Sequence, residues 1–166
     1  MSLPRFVVQL HDATRLHFDL RLQVGEVMRS WAVPRGPSLD PAVRRLAVQV
    51  GDHSLSSGEF EGVHHGQAHG TGAVIVWDEG AVTLLRDEPD HLSFVLRGHK
   101  LCGRFGLSRT GGRQWILVKA DDDEARRGSD VVVEQPTSVR SGRTWQQLAQ
   151  QAGSTNTVNT PSPSPC

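Results

Sequence analysis

An imidazole, a carboxylate and a guanidinium occupy alternate positions in the run His17-Phe18-Asp19-Leu20-Arg21. On a β-strand, side chains two apart share a face, with their Cα atoms roughly 6.5 Å apart. A pair of metal ligands at that spacing, beside a planar fork that grips phosphate, suits phosphoester chemistry. His11 lies just upstream, in the turn expected between two strands, from where it can fold over as a third ligand. Mixed imidazole and carboxylate ligation suits Mn²⁺, Fe²⁺ or Zn²⁺, and suits Mg²⁺ less well because two nitrogens take part. Each residue alone reads as part of a solvated strand face. Three alternating positions plus His11, opposite the apolar series Leu16, Phe18, Leu20, Leu22 and Val24, read as a site.

Two further clusters bear on this chemistry. Gly51-Asp52-His53 ends an expected strand that follows Arg44-Arg45. Strand ends that feed loops present reactive groups, so His53 is a candidate general acid or phosphate contact and Arg45 a candidate anion ligand. His64, His65 and His69 fall in a Gly-rich stretch before a strong strand, and that context favours a tight loop with incidental histidines over a metal site. His91 and His99 carry no pattern. A rival enzymatic reading joins His17 and Asp19 to His53 as the facial triad of a non-haem Fe(II) oxygenase. That reading leaves Arg21 and His11 without a role.

The elements that must position these groups are short and β-rich. Apolar or alternating runs predict strands at 6–10, 16–24, 28–33, 46–50, 73–77, 82–85, 92–96, 105–108 and 114–119. Asp78-Glu79-Gly80 and Gly111-Gly112 read as tight connections, and Pro34-Arg35-Gly36-Pro37 as a loop that no sheet interior tolerates. Thr144 followed by Gln147 is a capping box that opens a short helix over 145–151, stopping at Gly153. The fold class is therefore all-β, a small antiparallel β-barrel with a few short helices. Residues 1–153 form one domain, and 154–166 a polar segment whose composition predicts disorder.

Composition sets further bounds. In 166 residues, 18 Lys and Arg offset 18 Asp and Glu, so any nucleic-acid partner must be held by a local basic patch. The two cysteines, Cys102 and Cys166, do not read as a disulfide framework, because the second ends a polar segment. No run approaches membrane-spanning length. A reducing, cytoplasmic setting is expected.

The residues from Phe6 onward resemble the 3′-phosphoesterase domain of bacterial DNA ligase D, which also occurs as a free-standing protein. The matching stretches are FVVQLHDATRLHFDLRL, SWAVPRGPSLDP, RRLAVQVGDHSL, FEGV, GTGAVIVWDEG, GRFGLSRTGGRQWILVK and SVRSGRTWQQLA, in order across roughly residues 5–150. The resemblance implies a small β-barrel with a metal and phosphate site in a crescent-shaped groove. It also implies Mn²⁺-dependent removal of a 3′-ribonucleoside and then a 3′-phosphate from DNA or DNA/RNA primer-template ends. By position it implies His11, His17 and Asp19 as metal ligands and Arg21 and His53 at the scissile phosphate, with Gln9, Arg35 and Arg45 as further site residues. A free-standing, nucleoid-associated protein is expected, with a DNA ligase or polymerase of end joining as partner. This chain departs from the pattern at Gly51 (usually Glu), Ser57 (usually Tyr) and His69 (usually Tyr), at Gly66 and Ala68 (usually acidic), and in having only five residues before Phe6. The corresponding alternative is a catalytically weakened module that binds DNA ends.

Overall fold

The computed structural model describes residues 3–64, 70–153 and 165–166. Nine strands follow one another before two short helices: β1 (Arg5–Asp12), β2 (Leu16–Val24), β3 (Val27–Val33), β4 (Arg45–His53), β5 (Gly62–Val63), β6 (Ala73–Glu88), β7 (His91–Gly98), β8 (Cys102–Gly111), β9 (Gln114–Lys119), α1 (Val131–Glu134) and α2 (Trp145–Gln150). Every pairing is antiparallel, in the order β1-β2-β3-β4-β9-β8-β7-β6, and β1 also pairs with β6. Eight strands thus close into a barrel, with β5 added on the outside of β6. Closure removes the exposed strand edges that an open sheet would leave.

Alternation decides what lies inside. Phe18, Leu20 and Leu22 of β2 point into the core with Phe6, Val8 and Leu10 of β1. The alternate residues Gln9, His11, His17, Asp19 and Arg21 therefore share the outer face. The core is filled by Trp31, Trp77 and Trp115, all buried, with Trp31 and Trp115 edge to face at 5.8 Å. Two of their indole nitrogens find acceptors, Trp115 Nε1 donating to Gln49 and Trp77 Nε1 to the Gln135 carbonyl. Each such side chain contributes roughly 1.5–3 kcal/mol of burial. The sequence-predicted series weakens at its first member, because Leu16 is exposed at the barrel's end.

Three expectations are corrected. Asp78-Glu79-Gly80 is no turn, and β6 runs through it for 16 residues. Gly80 is needed because a Cβ there would come within 2.0 Å of the Arg97 carbonyl oxygen; two strands approach closely at this point. His11 lies within β1, paired with His17, and not in the connection. Cys102 and Cys166 form a disulfide with Cα atoms 6.3 Å apart, within the usual range for such bridges, so the reducing setting loses the support of unpaired cysteines. The capping box at Thr144 and Gln147 is formed as expected, and α2 passes into a 3₁₀ turn ending at Gly153. Most of the 154–166 segment, and with it the expectation of disorder, lies outside the described residues. No helix among the described residues is long and apolar enough to cross a membrane.

Candidate metal and phosphate site

His11 and His17 face each other across the β1–β2 pair with ring centroids 5.4 Å apart, and Asp19 is the next residue on that face of β2. One ligand atom from each of the three lies within 4.8 Å of the other two. His17 Nε2 and Asp19 Oδ2 are 3.2 Å apart. Neighbouring donors around one ion take a separation of about 3 Å when each bond is roughly 2.0–2.2 Å long. Two imidazoles and a carboxylate make a donor set that fits a divalent transition ion.

The orientation of His17 strengthens that fit. Its Nδ1 lies 3.0 Å from the Arg15 carbonyl, which can only accept, so Nδ1 carries the proton. The lone pair of Nε2 in the neutral ring then faces a carboxylate oxygen. Two acceptors held face to face need a proton or a cation between them. In the ion-free protein the hydrogen bond to Asp19 raises the His17 pKa above its ordinary value, against the opposing effect of burial.

Arg21 is fixed by three neighbours. Its Nε donates to Gln9 Oε1 at 3.1 Å, and Nη1 reaches Ser30 Oγ at 3.0 Å and His53 Nδ1 at 3.2 Å. Nη2 is left 3.9 Å from Asp19 Oδ2. Burial lowers the Arg21 pKa while Asp19 opposes the shift, and a guanidinium remains charged nonetheless. Because the Arg21 N–H groups only donate, His53 Nδ1 accepts, and the ring proton sits on Nε2. His53 therefore offers a donor at its free nitrogen. Among the described residues the cluster that could hold a cation is His11, His17 and Asp19, without His53, so the arrangement that the oxygenase reading requires is not formed.

A cavity of about 360 Å³ is lined by Gln9, His11, Asp19, Arg21 and His53, with Ser57, Gly58, Phe60 and His64 of the 57–64 segment. That segment is clamped on β1. Gln9 Nε2 donates to the Phe60 carbonyl, and Arg5 donates to the carbonyls of Leu55 and Ser57. Gly58 has φ +93° and approaches Val7 so closely that a Cβ would lie 2.2 Å from its Cγ1. Both ends of the Gln9 amide are thus occupied, so this buried residue braces Arg21.

His64, which local context makes an incidental loop histidine, lines the cavity. Its ring stacks on Phe60 at 4.3 Å and stands 5.9 Å from that of His11. The missed signal is the pairing of FEGV with the strand after the glycines: Gly62 and His11 both take Val74 as register partner, which carries residue 64 over the end of β1. His65 and His69 lie outside the described residues. Arg35 and Arg45 do not line the cavity. Arg35 is exposed in the 34–37 turn. Arg45 alternates with buried Ala47, on the core side of β4, and its Nε donates to the Gly36 carbonyl at 3.1 Å.

Comparison with known proteins bears on the same residues. Residues 9–109 match the family model described as the DNA ligase D 3′-phosphoesterase domain. The multifunctional non-homologous end joining protein LigD of Pseudomonas aeruginosa is 54% identical over 154 residues, covering 86% of this chain and 18% of that protein. The corresponding DNA repair protein of Mycobacterium tuberculosis is 37% identical over 126 residues, covering 74% of this chain and 17% of its own length. The protein of Mycolicibacterium smegmatis is 34% identical over 137 residues, covering 76% and 18%. The chain spans less than a fifth of the length of these relatives.

Proposed function

The chain belongs to the DNA ligase D 3′-phosphoesterase family, and on that premise we propose that it is a divalent-metal-dependent hydrolase of phosphoester bonds at nucleic-acid 3′ ends. The observation that carries this reading is the confrontation of His17 Nε2 with Asp19 Oδ2 at 3.2 Å, beside a cavity shared with Arg21 and His53. His11, His17 and Asp19 would hold the ion, and Mn²⁺ suits them. When bound, such an ion supplies Lewis-acid polarisation of a phosphoryl oxygen. Arg21, immobilised by Gln9 and Ser30, neutralises charge on the non-bridging oxygens as the phosphoryl group is transferred to water. His53 presents Nε2–H to a phosphoryl or leaving oxygen, held in that tautomer by Arg21. Arg45 anchors the 34–37 turn through the Gly36 carbonyl.

The proposed substrates are primer ends bearing a 3′-ribonucleoside or a 3′-phosphate, which leave a 3′-OH for a ligase or polymerase of end joining. The direct test is incubation of a labelled primer ending in one 3′-ribonucleotide with Mn²⁺. Wild type should cut it. His17→Ala should lose both cleavage and ion binding. His53→Ala should lose a hundredfold or more of the rate, in line with the usual size of general acid catalysis, while binding the ion normally. A wild-type protein that binds the primer and leaves it whole would instead be the end-binding module that the replacements at Gly51, Ser57 and His69 suggest.

A further inference from the structure

Across the barrel from the cavity, the outer face of β7, β8 and β9 carries a second concave surface. Arg86, Ser93, Gly106 and Val118 are successive register partners across four strands. The floor is low because Ser93, Gly106 and Ser108 are small. A Cβ built on Gly106 would meet nothing nearer than His91 Cε1 at 3.6 Å. Long cationic side chains stand around this floor: Arg44, Arg86 and Arg104, with His91, enclose about 410 Å³. Arg86 is paired with Glu88, both half exposed, and Lys119 is spent internally on Asp122. The guanidinium groups of Arg44 and Arg104 make no ion pair among the described residues, and only the backbone N–H of Arg104 is taken, by Asp122 Oδ2 at 2.9 Å. In a chain of zero net charge this is a local basic groove, of the kind that a nucleic-acid backbone requires.

The sheet connects it with the cavity. Asp19 pairs with Ala32, and Ala32 with Val48. One pleat along β4, Leu46 pairs with Ile116, Ile116 with Ser108, and Ser108 with His91. Ala32, Val48, Leu46 and Ile116 lie on the outer face between the two sites and bear no charge. From β2 to β8 there are four strand steps, roughly 19 Å along the surface at about 4.8 Å each. At a rise of about 3.4 Å per nucleotide, that distance corresponds to roughly five or six nucleotides of strand. We propose that this groove binds phosphates of the strand whose 3′ end enters the His11/His17/Asp19 cavity, an assignment that rests on the hydrolytic reading above.

The test compares strand lengths. Strands of three and of fifteen nucleotides, each ending in one 3′-ribonucleotide, are cleaved with Mn²⁺ by wild type, by Arg44→Ala/Arg104→Ala and by Gly106→Glu, with circular dichroism to verify folding. Gly106→Glu keeps both arginines and puts a carboxylate on the floor. The fifteen-mer should show KM raised about tenfold in both variants with kcat unchanged, while the three-mer shows no change. In metal-free anisotropy with a fluorescent fifteen-mer, the double variant should lower the slope of log affinity against log salt by about 1.4, roughly 0.7 for each single-strand phosphate that an arginine no longer neutralises. Equal fifteen-mer KM and equal salt slope in wild type and variants would overturn the groove and leave the hydrolytic reading standing. A KM rise shared by the three-mer would also overturn it, since the effect would then arise in the cavity. If wild type cuts neither strand, the salt slope alone decides whether the groove binds nucleic acid, and the hydrolytic reading fails only if a primer annealed to its template is also left whole.

Discussion

Asp19 and Asp78 are both carboxylates on barrel strands with a cation nearby, and their surroundings give them opposite characters. Asp78 is fully buried, and its oxygens accept from the backbone N–H groups of His99, Lys100 and Leu101 at 2.8–3.3 Å. Burial raises its pKa against the pull of those bonds. Its acceptors are filled by the main chain, so it staples the β7–β8 connection to β6. Asp19 receives no backbone N–H among the described residues. Its neighbours are His17 Nε2, which in the neutral ring turns a lone pair toward it, and the Arg21 guanidinium. A carboxylate whose acceptors are satisfied by the fold is a structural part; one left aimed at another acceptor is set to share a cation.

The sharpest way to break this contrast is to remove one charge from each. Asp19→Asn should abolish ion binding and lower 3′-end cleavage by about a thousandfold or more, because several kcal/mol of Lewis-acid stabilisation go with the ion. Its thermal stability should hardly change. Asp78→Asn should do the reverse. The amide turns an N–H₂ toward N–H donors and should cost about 2–4 kcal/mol in urea unfolding, with ion affinity unaltered. Calorimetric titration with Mn²⁺ beside urea curves for both variants checks the pair. A large stability loss in Asp19→Asn would make that residue a second staple.

The sequence displayed one of these carboxylates more plainly than the other. Asp19 was legible because β2 alternates strictly and its polar partners are two residues apart, a period that the chain itself displays. Asp78 read as part of a turn because Asp-Glu-Gly is turn chemistry, and only the distant backbone of residues 99–101 explains why it sits in mid-strand. The same division holds for the site. His17, Asp19 and Arg21 were placed by local spacing. His11 reads as part of a bend because the sequence does not show how far β1 runs before turning. His64 is not legible in the sequence because its proximity to His11 arises from β5 pairing with β6. The disulfide is likewise a long-range event, joining residues 64 positions apart. Local periodicity predicts faces; closure decides which faces meet.

The two surroundings also differ in spare room, and added side chains can measure that difference. A Cβ on Gly51, near His53, would touch nothing within 4 Å, whereas one on Gly98 would fall 2.4 Å from Asp78 Oδ2 and 2.6 Å from Phe6 Cζ. Gly98→Ala should therefore destabilise the fold by about 1–3 kcal/mol, the usual cost of overpacking. Gly51→Glu should be tolerated, gaining a few tenths of a kcal/mol from reduced freedom of the unfolded chain. It should also raise cleavage of a 3′-phosphate end several-fold by supplying the carboxylate that the family resemblance implies there. Unfolding curves and 3′-phosphatase assays on both variants decide the matter. A loss of stability in Gly51→Glu would show that the site is as crowded as the staple.

The smallest expected effect concerns the cation beside each carboxylate. Arg21 keeps its charge, but Lys100, buried over the Trp77 ring at 4.3 Å with its ammonium donating to the Thr137 carbonyl, has its pKa pushed down to about 7 by burial, with Asp78 opposing. An unfolded lysine titrates near 10.4. Between those two values the unfolded chain binds more protons than the native one, so stability must rise with pH across that window. Below pH 7 both states are protonated, and the folded state bears the full cost of a buried ammonium. Wild type should accordingly gain about 1–2 kcal/mol of unfolding free energy between pH 7 and 9, against a ceiling of about 1.4 kcal/mol per pH unit. Lys100→Met should lose that slope and be the more stable of the two at pH 6, since an apolar side chain of similar length fills the same space without a charge. Urea unfolding at pH 6, 7, 8 and 9 with the disulfide intact measures both quantities. If the slope persists in Lys100→Met, the pH dependence belongs to another group, and Lys100 is no less comfortable in its pocket than Arg21 is in the site.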